Sequence, residues 1–166
     1  MRVAVTGTPG TGKTAATARL EGDFEITHLN EAIEREGLYT ERDEERDSLV
    51  VDLDAIEAWL GDREGIVESH LAHRFPADRV VVLRCHPNEL ERRLRERGES
   101  EAKASENAES EALDLILSEA VSEHGRERVY EIDTTDRTPE GVAREIERAI
   151  AGERDPSAGE VDFLDR

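Results

Sequence analysis

The segment Gly7-Thr8-Pro9-Gly10-Thr11-Gly12-Lys13-Thr14 constrains the fold of this chain more than any other feature. It fits the pattern G-x-x-x-x-G-K-[ST], in which glycines let consecutive backbone N–H groups turn inward around a phosphate. The β-branched run 2–6 precedes it and the helix-forming run 15–20 follows it. This order of strand, loop and helix predicts a phosphate-binding loop (P-loop) at a helix N-terminus, where the helix dipole also favours an anion.

Lys13 strengthens this interpretation. The chain has 22 Lys and Arg residues, of which only Lys13 and Lys103 are lysines. A compact ammonium suits a phosphate cradle better than a planar guanidinium does. We expect Lys13 to reach the β- and γ-phosphates of ATP and the Thr14 hydroxyl to bind Mg²⁺. The alternative is a Gly-rich turn with a surface lysine. The predicted nucleotide-binding residues of the loop are Gly10, Gly12, Lys13, Thr14 and Ala15.

Length and composition predict one cytoplasmic domain. A chain of 166 residues can bury a core of its own, and its apolar runs are too short to span a membrane. Nothing at the N-terminus resembles a signal peptide, because the first strand begins at Arg2. The single cysteine, Cys85, excludes an internal disulfide and suits a reducing compartment; we expect it to be a small buried residue at a strand end.

The net charge of −19, from 41 acidic and 22 basic residues, permits three interpretations. A disordered acidic protein conflicts with the apolar periodicity and the five strand-like runs. An acidic domain could instead bind a basic partner. Because the carboxylates are spread through the whole chain and lysine is nearly absent, we favour adaptation to high salt, where counter-ions screen self-repulsion.

Alternating strand and helix patterns predict an α/β fold, a P-loop NTPase three-layer sandwich with a five-stranded parallel sheet and helices on both faces. The predicted strands are 2–6, 25–28, 65–68, 79–84 and 129–133. The predicted helices are 30–36 (capped by Asn30), 54–60, 87–97, 106–123 and one beginning at Thr138-Pro139. Residues 1–151 would form the domain and 152–166 a tail, which Val161, Phe163 and Leu164 could dock onto it.

Two segments, 37–48 and 98–105, lack regular patterning within the domain. In a phosphoryl-transfer enzyme, insertions at such places act as substrate clamp and lid, which exclude water during transfer.

The chain resembles the small P-loop nucleoside monophosphate (NMP) kinases and, within them, the adenylate kinase isoenzyme 6 family. The resemblance covers roughly residues 1–150 and rests on the P-loop and on four further stretches. These are Asp43-Glu44-Glu45 after Leu38-Tyr39, Glu68-Ser69-His70, Val82-Leu83-Arg84, and Glu91-Arg92-Arg93-Leu94 followed by Arg97-Gly98.

The resemblance implies Mg²⁺-dependent transfer of the ATP γ-phosphate to an NMP, with AMP as the first candidate acceptor. It places an NMP clamp at about 30–54 and a short lid at about 97–107. It also implies ATPase activity in maturation of the small ribosomal subunit and its 16S rRNA, with a uS11-like ribosomal protein and a pre-30S particle as partners. The alternatives are an assembly factor with little kinase activity and a P-loop kinase for a small metabolite such as shikimate or gluconate.

Glu68 ends a predicted strand beside the P-loop strand. A carboxylate there is placed to hold the Mg²⁺ shell, directly or through water, or to orient a water molecule. The resemblance gives it the role of a Walker B acid, although eukaryotic members usually carry Asp-x-His where this chain has Glu-x-His. His70 would face the same side as Glu68 if the strand continued, and the resemblance links it to ATP hydrolysis. The alternatives are a solvated glutamate and a structural histidine.

Among the arginines, the resemblance matches Arg97 to a lid arginine that contacts the nucleotide. Phosphoryl transfer needs several cations, so Arg84 and Arg93 could join it, while Arg92 and Arg95 are expected to pair with neighbouring glutamates on a solvated face. The acceptor candidates are Arg35, Arg42 and Arg46. Backbone groups at 134–136 would read the adenine edge.

Overall fold

Five parallel strands form the central sheet of the computed structural model, which describes residues 1–45 and 48–164. The strand order is β2-β5-β1-β6-β7, so the strand that leads into the P-loop lies in the middle. These strands are β1 (Arg2–Thr6), β2 (Ile26–His28), β5 (Gly65–Glu68), β6 (Arg79–Arg84) and β7 (Val129–Asp133).

Helices cover both faces of this sheet. They are α1 (Lys13–Thr17), α2 (Leu29–Glu36), α3 (Leu53–Leu60), α4 (Pro87–Glu96), α5 (Glu101–Ala112), α6 (Leu115–His124) and α7 (Pro139–Ala151), with short 3₁₀ turns at Ala72–Arg74 and Arg126–Arg128.

Side chains that alternate along the central strands pack into two separate hydrophobic cores. Ala4 and Val82 face one core with α2, α3 and α6, whereas Val5 and Val81 face the other with α1 and α7. Strands buried on both faces need the nearly continuous apolar runs that this sequence has. The predicted three-layer α/β fold is therefore confirmed.

The carboxyl ends of the five strands meet at one edge of the sheet, because all of them run in the same direction. The P-loop leaves β1 there, and His28, Glu68 and Arg84 end their strands at the same edge. This is the edge where open α/β sheets bind ligands.

Local expectations fail at four places, of which three concern secondary structure between residues 30 and 114 and the fourth the segment 98–105. Segment 37–48 was expected to be irregular, but β3 (Tyr39–Asp43) and β4 (Ser48–Val51) form an antiparallel hairpin. Asn30 does not cap α2, whose N-cap is His28. The expected helix 106–123 is two helices, broken at Asp114, which adopts a left-handed φ of 55°.

The second irregular segment also shrinks, since α5 already begins at Glu101 and only 97–100 connect it to α4. By contrast, α7 begins as predicted: Thr138 Oγ1 accepts the Gly141 N–H at 3.1 Å, and Pro139 opens the first turn. No helix within residues 1–45 and 48–164 is long and apolar enough to cross a membrane.

Part of the C-terminal segment packs onto the domain. Phe163 is buried, with its ring edge-on to His86 at 5.5 Å between centroids. Glu131 Oε1 accepts backbone N–H groups from Gly159, Glu160 and Val161 at 2.8 to 3.2 Å. Leu164, in contrast, is exposed.

Candidate functional site

Glycine conformation shapes the P-loop. Gly10 and Gly12 have φ values of 95° and 97°, which side chains rarely adopt. A Cβ on Gly10 would lie 2.9 Å from Leu90 Cδ1, whereas a Cβ on Gly12 would meet nothing within 4 Å. Gly10 thus lets the loop pack against α4, and Gly12 faces the open side on which a phosphate would lie.

Lys13 lies inside the loop and not on its solvent side. Its Nζ donates to the carbonyl oxygens of Gly7 at 2.9 Å and Thr8 at 3.2 Å, and the residue is only 7% exposed. Burial lowers the pKa of Lys13 from 10.5 to about 8, Glu68 opposes that shift, and Arg97 adds to it. An anion between Lys13 and Arg97 would offset both the cost of burying the Lys13 ammonium and its repulsion by Arg97.

Glu68 bridges the P-loop helix and the neighbouring strand. Its Oε1 accepts from Thr14 Oγ1 at 3.3 Å, and its Oε2 lies 2.9 Å from His28 Nδ1. The residue is buried, so the solvated-glutamate alternative does not describe it. A hydroxyl and a carboxylate at this spacing fit Mg²⁺, a hard cation that takes one or two protein oxygens besides phosphates and water.

His70 reaches the same cleft from a turn, because β5 ends at Glu68. Its Nδ1 lies 3.3 Å from Asn30 Nδ2, and Asn30 Oδ1 accepts from Ser69 Oγ at 2.6 Å. Burial, reinforced by Lys13, lowers the pKa of His70 to about 4. The imidazole is therefore neutral at pH 7 and can both donate and accept a hydrogen bond.

A phosphate cleft of about 680 Å³ unites these groups. Its lining includes Gly10, Gly12, Lys13, Thr14, Ala15, Asn30, Glu68, His70, Arg93 and Arg97. The residues predicted for the P-loop, together with Glu68, His70 and Arg97, therefore face one cavity. Arg97 keeps 57% of its side chain exposed and lies 3.8 Å from Glu99, so its guanidinium can move.

Two smaller pockets share lining residues with the phosphate cleft. A rear pocket of about 300 Å³ shares Gly10, Gly12, Ala15 and Arg93 with it and adds Thr134 and Val142. A hairpin pocket of about 400 Å³ shares Asn30 and His70 with it. The hairpin pocket's walls are apolar at Ile33, Leu49, Val51 and Leu71 and polar at Glu34 and Arg42.

Arg93 fixes the wall between the phosphate cleft and the rear pocket. Its guanidinium donates to the carbonyl oxygens of Thr134 at 3.0 Å and Thr135 at 3.4 Å. Thr134 Oγ1 donates in turn to the Thr11 carbonyl at 2.9 Å. The loop after β7, where adenine recognition was expected, is thereby held against the P-loop.

Arg84 is not a phosphate ligand. The residue is fully buried among Glu111, Asp114 and Glu131, and its Nε donates to Glu111 Oε2 at 3.1 Å. Glu111 also accepts from Thr8 Oγ1 at 3.1 Å, so this cluster supports the P-loop from below. Burial is the largest effect on the pKa of Glu111 and raises it, against the lowering by Arg84.

Arg92 and Arg95 both lie on the exposed face of α4. Arg92 pairs with Glu89 and Glu96, as expected for a solvated face. Arg95 likewise pairs with Glu91.

Of the acceptor candidates, Arg42 lines the hairpin pocket and pairs with Glu34 at 3.1 Å. Arg35 is exposed and lies 3.4 Å from Glu36. Arg46 lies outside the described residues. Cys85 is buried after β6, and burial raises the pKa of its thiol to about 11, which makes it a poor nucleophile.

Comparison with known proteins gives the family. A family model described as an AAA domain matches residues 3–114. A protein of Natronomonas pharaonis named "Putative adenylate kinase" is 64% identical over 166 residues, which cover 99% of both chains. The chain belongs to the family of proteins named "Putative adenylate kinase". A member with the same name from Halobacterium salinarum is 57% identical, over 99% of this chain and 99% of its own length. Another from Methanocaldococcus jannaschii is 36% identical, over 100% of this chain and 94% of its own length.

Solved structures of P-loop kinases share the fold. Shikimate kinase from Acinetobacter baumannii, in complex with shikimate, superposes with a TM-score of 0.62 at 17% identity, over 92% of this chain and 94% of that one. Shikimate kinase from Bacteroides thetaiotaomicron gives 0.56 at 20% identity, over 92% and 98%. At such identities the likeness concerns the fold alone.

Sequence reasoning missed His28 and Asn30. Asn30 lines both the phosphate cleft and the hairpin pocket, although it was expected to be a helix cap. His28 ends β2, and polar residues that end parallel strands meet at the ligand-binding edge. That rule, applied to β2 as it was to β5, would have found His28.

Proposed function

We propose that this protein is a nucleoside monophosphate kinase that transfers the ATP γ-phosphate to AMP or another NMP. The observation that carries this proposal is that two pockets share lining residues with one phosphate cleft, and that Asn30 and His70 line both the cleft and the hairpin pocket. A donor nucleotide in the rear pocket and an acceptor in the hairpin pocket would bring their phosphates together beside Lys13. The relatives' names support this assignment.

Each group has a role that its surroundings support. Lys13 and Arg97 would neutralise charge that spreads over the transferred phosphoryl oxygens. Thr14 and Glu68 would hold Mg²⁺, which would supply Lewis-acid stabilisation of the phosphate charge. The hairpin (β3 and β4, within the clamp 30–54) and the lid (97–107) would close over the phosphate cleft and exclude water.

We propose ATP hydrolysis as a second activity of the same site. A neutral His70 beside a buried carboxylate can orient a water molecule in place of the acceptor phosphate. A role in small-subunit maturation, with a uS11-like protein and the pre-30S particle, and the cytoplasmic location rest on the resemblance and on composition.

A coupled assay would test the proposal by offering AMP, other NMPs, shikimate and water as acceptors, at 0.1 M and at 2 M KCl. We expect NMP-dependent ADP formation to exceed the rates with shikimate and with water. Transfer to shikimate alone would assign the hairpin pocket to a small metabolite. Hydrolysis that no acceptor stimulates would favour the assembly-factor alternative.

A further inference from the structure

His28 and Glu68 occupy paired positions on the neighbouring parallel strands β2 and β5. Side chains at paired positions leave the sheet on the same face. Here His28 Nδ1 lies 2.9 Å from Glu68 Oε2, with 35% of the His28 side chain and 8% of the Glu68 side chain exposed. We propose that His28 is a positioning residue that holds the Glu68 carboxylate in the orientation that binds the metal of a Mg²⁺-nucleotide. This inference rests on the proposed function.

The length of the glutamate side chain explains why a second contact is needed. Glutamate has one more rotatable bond than aspartate, so its carboxylate has more positions available at a strand end. In this protein each oxygen has its own partner, Thr14 for Oε1 at 3.3 Å and His28 for Oε2 at 2.9 Å. With both contacts formed, Oε1 stays beside the hydroxyl that shares the predicted metal shell.

His28 acts through Glu68 and not on the ligand itself. Of the described residues, Glu68 is one that lines the phosphate cleft, whereas His28 does not line it. The histidine is also the N-cap of α2, although its side chain makes no capping hydrogen bond there. Within the part of the chain that the structure describes, the ring therefore makes its hydrogen bond with Glu68. Loss of a partner that orients a metal-binding side chain in this way typically weakens metal affinity by roughly 10- to 100-fold.

The test measures Mn²⁺ binding to the protein–ADP complex, by titration calorimetry or by the loss of the free-Mn²⁺ electron paramagnetic resonance signal. His28→Ala should weaken Mn²⁺ binding about tenfold. His28→Asn should stay within about threefold of the parent, because its amide nitrogen can replace Nδ1 as donor. Binding of ADP in the presence of a chelator, and the melting temperature, should not separate the two variants.

Glu68→Asp supplies a double-mutant cycle. The shorter side chain cannot span Thr14 and His28 together, so adding His28→Ala to Glu68→Asp should change Mn²⁺ affinity less than about twofold. A full tenfold effect of His28→Ala in that background would overturn the inference, since His28 would then act without Glu68. Equal weakening by His28→Asn and His28→Ala would overturn it as well.

Glu68→Gln separates the inference from the proposed function. If Glu68→Gln weakens Mn²⁺ binding and His28→Ala leaves it unchanged, the metal assignment stands and the positioning role of His28 is refuted. If Glu68→Gln has no effect on Mn²⁺ affinity, both the metal assignment and the inference are refuted.

Discussion

Replacing Arg84 should destabilise the fold more than replacing any surface arginine. In Arg84→Met the cation disappears from between Glu111 and Glu131, whose side chains are 2% and 0% exposed. Removal of one partner from a buried ion pair costs about 3–5 kcal/mol, because the remaining charge has no compensation. Besides the partly exposed Asp114, two buried carboxylates lose their partner here, so we expect about 4–5 kcal/mol, a large part of the roughly 5–15 kcal/mol that stabilises a domain.

The assay is urea unfolding followed by circular dichroism, with melting temperatures as a second measure. For a chain of this length, the loss corresponds to a fall of about 8–20 °C in melting temperature. Arg92→Met is the matched control, because Arg92 also contacts two glutamates but on the exposed face of α4. Its effect should be small beside that of Arg84→Met and should vanish in 2 M KCl, whereas the Arg84 effect should persist.

A neutralised cluster completes the test. Arg84→Met combined with Glu111→Gln and Glu131→Gln should recover most of the lost stability, because no unpaired charge then remains buried. A loss below about 1 kcal/mol in the single variant would refute the argument. So would a triple variant less stable than the single one.

Three further predictions concern charge, salt and water. Lys13→Met should abolish phosphoryl transfer and hydrolysis yet raise the free energy of unfolding at pH 7 by up to about 3 kcal/mol, because burial lowers the Lys13 pKa from 10.5 to about 8. The buried ammonium destabilises the folded state to its full extent below pH 8, so the stability gained in Lys13→Met should disappear as pH rises from about 8 to 10.5. Activity within tenfold of the parent would contradict the P-loop assignment. The melting temperature should rise steeply between about 0.1 M and 2 M KCl as screening reduces self-repulsion, in keeping with the halophile sources of two relatives, and a flat profile would favour a basic partner. His70→Ala should reduce hydrolysis about tenfold more than transfer to AMP, or about 1.4 kcal/mol of differential barrier, because the acceptor phosphate supplies its own nucleophile; equal losses would mean that His70 supports the phosphate geometry common to both reactions.

The sequence predicts the central sheet because its strands are determined locally. The consecutive β-branched residues Val80, Val81 and Val82 favour a strand that is buried on both faces, and the P-loop motif fixes the strand before it and the helix after it. Parallel topology then brings Glu68 to the edge where Lys13 lies. Those steps need no knowledge of tertiary contacts.

The rest depends on contacts between distant residues, which periodicity does not encode. Arg84 follows three valines and a leucine and has no nearby acid in the sequence, so its carboxylate partners become visible only when α5 and β7 are placed. The break at Asp114 has the same cause, because its left-handed backbone brings the carboxylate to Arg84. The β3–β4 hairpin escaped prediction because Tyr39–Asp43 is mostly charged and exposed.

The Arg84 cluster also imposes an order on the making of the protein. Its carboxylates lie 27, 30 and 47 residues later in the chain, so at about 5–20 residues per second the last of them is synthesised roughly 2 to 9 seconds after the arginine. An unpaired guanidinium is costly to bury, so the carboxyl end of β6 should stay hydrated until Glu111 and Asp114 have been synthesised. Because Glu111 also accepts a hydrogen bond from Thr8, a nascent chain should gain this support for its P-loop only after α5 has been synthesised, and Glu131 completes the cluster with β7.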